Sequence, residues 1–162
     1  MSSYSVGSGL RKFRSAWKAY LVQSVVAGLT TLLILLLLNL EHAVVIAALG
    51  ASAFIVFGRP FDITARPQNV IGGHMVGFAV GSLCAAIPHL TPVSTLGCYA
   101  LSVGLSIFIM AILNMQHPPA AGTALGMAVR GCSEEAFAAV LTITIVLAVV
   151  HLVLKPRLRN LF

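Results

Sequence analysis

From Trp17 to Leu40 the chain is almost continuously apolar, and positions 32 to 38 are nearly pure leucine. An apolar helix of about 20 residues crosses the roughly 30 Å hydrocarbon core of a bilayer. Asn39, Glu41 and His42 break the run, and a second apolar stretch, 43 to 58, follows before a loop containing Arg59, Pro60, Asp62, Arg66 and Pro67. Asn69 then reads as the cap of a third helix ending near Ile87, and Thr91 with Pro92 as N-cap and first residue of a fourth ending near Leu113. Pro118 and Pro119 lack amide hydrogens and fit only a first turn, so a fifth helix starts at His117 or Pro118 and stops before Gly131. Ser133 with Glu134 and Glu135 opens a sixth, which ends at Lys155 because Pro156 follows. The pattern predicts an all-α membrane protein of six hydrophobic helices.

The second and fifth helices are short. The fifth rises about 20 Å at roughly 1.5 Å per residue, too little to span alone. A shift of 75 residues lays Leu38, Asn39, Glu41 and His42 on Leu113, Asn114, Gln116 and His117, and one further residue brings Ala48 to Gly50 onto Ala124 to Gly126. Each half is then long helix, short or broken helix, long helix. Three spans per half invert the second half relative to the first, as in many transporters. The predicted domains are a basic cytoplasmic tail over 1–16, a membrane domain over 17–156 (repeats 17–89 and 92–156), and a short tail over 157–162. In the third helix Gly73, Gly77 and Gly81 recur every four residues, a ridge that admits a close helix neighbour. Gly122 and Gly126 are expected to do the same in the fifth.

Charge sets the orientation. With six crossings, nine of the ten Lys and Arg residues lie on the side of the termini and the 59–69 loop, and Arg130 is the exception. The positive-inside rule therefore places both termini in the cytoplasm, here assigned to a bacterial inner membrane. An apolar content of 59% with 9% charged residues excludes a soluble domain, and the clustered basic residues contact lipid rather than nucleic acid. Cys84, Cys98 and Cys132 have no metal or disulfide spacing and read as small buried hydrophobes.

The candidate chemistry sits where the short helices begin. Asn39, Glu41 and His42 precede the second, and Asn114, Gln116 and His117 precede the fifth. Helix N-termini carry free amide hydrogens and about half a positive charge, which suits an anion. The fifth helix has lost two donors to proline, leaving Ala120, Ala121 and the Thr123 hydroxyl; His74, beside Gly72 and Gly73, faces the same pathway or bonds a neighbouring helix. Glu41 against Gln116 places a titratable group in one repeat where the other has its neutral isostere, a device for proton–anion symport. His89 and His151 read as interfacial, and Arg59 and Arg66 as anion-attracting or topological. No haem or metal pattern appears, because no two histidines stand three or four apart, so neither a cofactor nor an enzyme is expected.

His117, Pro118 and Pro119 followed by Ala120 to Leu125, with Gly50 to Ala53, Phe57 with Gly58, and Arg66 to His74, resemble the motifs of the HPP family of integral membrane proteins. The resemblance implies a small-anion transporter, with nitrite the substrate linked to some members, and adds Ser52 to the candidate substrate-binding set. The alternatives are a structural or regulatory subunit without transport, or a haem- or metal-binding membrane protein. A homo-oligomer is compatible with the small size and the glycine ridge.

Overall fold

The computed structural model describes residues 6–37, 43–88 and 90–161, with the backbone alone for 6–15 and 43–46. Six helices follow in order: α1 (Val6–Leu37), α2 (Ala43–Gly58), α3 (Pro67–Ala85), α4 (Pro92–Ile112), α5 (Pro119–Arg130) and α6 (Glu134–Leu154). Single 3-10 turns occupy Ile63–Ala65 and Lys155–Arg157.

Local chemistry sets most boundaries. Thr91 and Ser94 form a reciprocal capping box at α4 with Pro92 in the first turn, and Ser133 accepts from the Ala136 amide at 3.1 Å to cap α6. At α3 the expected cap is replaced. Arg66 is the N-cap and Pro67 the first helical residue, so Asn69 lies inside the helix, where it is fully buried. The basic segment expected as a separate tail is helical from Val6, continuous with the apolar part of α1. No proline interrupts it.

The helices alternate in direction. Tyr20 donates to the Leu161 carbonyl, His117 lies 2.7 Å from the Thr64 carbonyl oxygen and His151 2.8 Å from that of Pro60. One end of the bundle thus gathers the start of the apolar part of α1, the 59–66 loop, the entry to α5 and the chain's last turns. Each of α1, α2 and α3 runs opposite to α4, α5 and α6 respectively. The set of helix pairs in substantial contact is unchanged when α1 is exchanged with α4, α2 with α5 and α3 with α6.

The most extensive of these contacts joins α3 to α5. A Cβ on Gly77 would strike the Ala120 carbonyl oxygen, and one on Gly81 that of Ala124; one on Gly73 would lie 2.8 Å from the His117 Cβ. The glycine ridge therefore packs against the α5 backbone, with both helices running parallel. Gly126 is buried, but Gly122 is exposed with nothing within 4 Å of a Cβ, so among the described residues it packs against no other helix. Leu49, Val56, Phe57, Val70, Met127, Ile143 and Leu147 form the core. Large apolar residues on the outer faces of α1, α4 and α6, such as Leu36, Leu96 and Leu152, are exposed on a scale that a bilayer covers and water does not. Among the described residues three helices are long and apolar enough to cross a membrane, over Ala16–Leu37, Pro92–Ile112 and Glu134–Arg157. The other three, which carry the short segments and the polar residues of α3, fall outside that limit.

Candidate functional site

Four of the expected site residues meet inside the bundle. Ser52 of α2, His74 of α3, His117 at the entry to α5 and Thr123 of α5 are all at most 2% exposed. The Ser52 hydroxyl lies 2.9 Å from the Nε2 of both His74 and His117. His74 Nδ1 lies 2.7 Å from the Thr123 hydroxyl, and His117 Nδ1 2.7 Å from the Thr64 carbonyl oxygen. The ring centroids are 5.0 Å apart. Three helices and the 3-10 turn thus share one continuous chain of hydrogen bonds.

Proline chemistry explains how His117 reaches this position. Asn114, with φ of 54°, is the left-handed residue that ends α4: its amide bonds the Ala111 carbonyl and the Met115 amide bonds that of Met110. Pro118 and Pro119 then force a new helix start, and His117 points inward beneath Gly73, where any side chain on α3 would displace it. On its other side His117 helps to wall a largely apolar cleft of about 420 Å³ between the end of α4 and the start of α5, with Met110, Gln116 and Ala121.

The remaining expected residues stand elsewhere. Asn114 is exposed and has a backbone role, and Gln116 is exposed, its carbonyl accepting from Asn69 Nδ2 at 3.3 Å. Neither joins the chain of hydrogen bonds. The free amides expected at the start of α5 are occupied, since Ala120 N bonds the His117 carbonyl and Ala121 N that of Pro118. That helix end offers shape and a buried ring rather than open donors. Asn39, Glu41, His42 and His89 lie outside the described residues.

Some polar residues have larger roles than the sequence reading gave them. Gln23 donates to the carbonyls of Phe57 (2.6 Å) and Arg159 (2.9 Å) and accepts from Arg159 N (3.1 Å), which ties the chain's last residues to α1 and α2. Its signal was an amide within an apolar run. His151, expected at an interface, is fully buried and donates through Nε2 to the Pro60 carbonyl. Arg59 pairs with Asp62 at 2.9 Å. Cys84 and Cys98 are buried as expected, whereas Cys132 is exposed. Among the described residues no group of three His, Cys, Asp or Glu side chains converges as a metal site would require.

A helical bundle with an apolar perimeter and a buried polar chain at its centre defines an integral membrane protein. Residues 11–160 match the family model described as HPP, transmembrane region, and the chain belongs to the HPP family. It is similar to two transmembrane proteins of Dictyostelium discoideum. One is 37% identical over 105 residues, covering 61% of this chain and 37% of the relative; the other is 35% identical over 85 residues, covering 52% and 27%. The matches thus span about a third of the length of these relatives. No solved structure matches the chain.

Proposed function

We propose that the protein is a transporter or channel for a small inorganic anion, with nitrite the foremost candidate, and that Ser52, His74, His117 and Thr123 line its binding position. The observation that carries this reading is the hydrogen-bond chain itself. Ionisable side chains deep in a membrane bundle are unfavourable unless they serve a pathway, and here two histidines from different helices converge on one hydroxyl. The opposed helix directions and the exchange symmetry of the helix contacts support two inverted repeats, with six crossings and both termini cytoplasmic. On this reading the short helices α2 and α5 meet near the midplane, and the hydroxyls and imidazole N–H groups replace part of the anion's hydration. No chemical transformation and no cofactor is involved. Flux into proteoliposomes across nitrite, nitrate, formate, bicarbonate and chloride tests it. Selective uptake of one or two of these, reduced at least tenfold in Ser52→Ala and His74→Gln, is expected; absence of flux for the whole panel in the native protein refutes it and favours a structural subunit.

A further inference from the structure

The hydrogen-bond chain has a direction fixed by its end. The Thr64 carbonyl can only accept, so His117 Nδ1 bears a hydrogen. A neutral His117 then presents a lone pair at Nε2, to which Ser52 must donate. Ser52 has a single hydrogen, so the other contact at its oxygen is a bond received from His74 Nε2–H. His74 Nδ1 is then the acceptor for the Thr123 hydroxyl. With both rings neutral every partner is satisfied, and in one sense only.

One added proton fits in two equivalent ways. On His74 Nδ1, it turns the Thr123 oxygen into an acceptor and leaves the rest unchanged. The charge passes to His117 when the His74 Nε2 hydrogen moves to the Ser52 oxygen while the Ser52 hydrogen moves to His117 Nε2. Two N–H or O–H bonds break and two form; His74 is left neutral with its hydrogen on Nδ1, and Ser52 now donates toward His74. A second proton does not fit. Both Nε2 atoms would then donate to Ser52, and its own hydrogen would have no acceptor within the chain.

We propose that His74, Ser52 and His117 form a site for one transferable proton, whose charge moves between α3 and the entry to α5 through the Ser52 hydroxyl. The proposal rests on the transport reading for its purpose: a positive charge at this position accompanies the anion, so proton and anion favour each other's binding. It moves the coupling role from Glu41 to the histidine pair. No charged side chain competes at close range among the described residues. α2 carries no titratable group over 43–58, α3 has besides His74 only Cys84 near its far end, and α5 only Arg130 at its far end. α4 brings Cys98 and Tyr99 near its start, and α6 has its acidic pair at its start and His151 bonded to Pro60. Beside the 3-10 turn, Asp62 is paired with Arg59, and Arg66 is exposed.

Nitrogen-15 NMR of histidine-labelled protein in lipid, with signals assigned through His74→Gln and His117→Gln, tests the site. At alkaline pH the expected tautomers are Nδ1–H for His117 and Nε2–H for His74. Acidification should add one proton, with both rings responding over the same pH interval; Ser52→Ala should make the two responses independent, and Ser52→Thr should restore the link. The opposite tautomers, or independent responses in the native protein, overturn the proposal. In vesicles loaded with a pH-sensitive dye, one proton should enter per nitrite taken up. Nitrite uptake without proton entry overturns the coupling role while leaving the anion reading intact, whereas the NMR pattern with no anion flux keeps the proton site and removes the anion reading.

Discussion

Each ring nitrogen of His117 meets a hydrogen-bond partner, so truncating the side chain removes two bonds at once. His117→Ala should leave the Thr64 carbonyl without its imidazole donor and the Ser52 hydroxyl with His74 alone, and lower stability by about 1–3 kcal/mol, read as the melting midpoint in detergent. Because His74 shares Ser52, its replacement by Ala should not add to that of His117; the double variant should fall short of the sum by roughly 0.5–3 kcal/mol. Additive losses would show that the two rings do not act as one chain. Asn114 offers a different test, since its left-handed backbone is all that its position demands. Asn114→Gly should be neutral within about 0.5 kcal/mol, while Asn114→Val should destabilise by about 1–2 kcal/mol.

Between elements, the close approach of α3 to α5 is what holds the site's two histidines together. Gly77→Ala puts a methyl group against the Ala120 backbone carbonyl, which cannot rotate aside, so the helices must separate. Overpacking of this kind typically costs about 1–3 kcal/mol, and the displaced α5 would carry His117 with it. Gly122→Ala, on the open side of α5, should be neutral or stabilising by up to about 1 kcal/mol through helix propensity. A melting comparison of the two single variants checks both. Equal effects would mean that the glycine ridge is not the contact surface, or that a second protomer covers Gly122.

For the molecule as a whole, the alternating helices place the 59–66 loop and the entry to α6 at opposite ends. In a background without Cys84, Cys98 and Cys132, single cysteines at Thr64 and Ser133 should react with impermeant reagents from opposite sides of the membrane; same-side labelling would exclude six crossings. The end that gathers the loop is also where Gln23 grips the terminal segment through two hydrogen bonds to Arg159, with a third to the Phe57 carbonyl of α2. Gln23→Ala should therefore expose residues 158–161 to proteolysis, read as faster loss of a C-terminal tag.

Helix number and most helix ends were legible in the sequence because local chemistry decides them: proline admits only a first turn, Thr91 and Ser133 cap their own following residues, and apolar run length separates α2 and α5 from the long helices. The N-cap of α3 was misplaced by three residues because Asn69 has the composition of a cap while Pro67, already in the first turn, takes precedence. Candidate site residues followed from their polarity in an apolar context, with Ser52 added by the family resemblance, and Ser52, His74, His117 and Thr123 do meet. Sequence alone could not separate them from Asn114 and Gln116, whose roles depend on which way the α4–α5 turn faces. Nor could it show that the Thr64 carbonyl, a backbone atom with no side-chain signal, sets the direction of the whole chain. Periodicity and composition act along a few neighbouring residues, whereas the meeting of α2, α3 and the entry to α5 is set by the glycine contact between helices more than 40 residues apart, and only the packed structure fixes it.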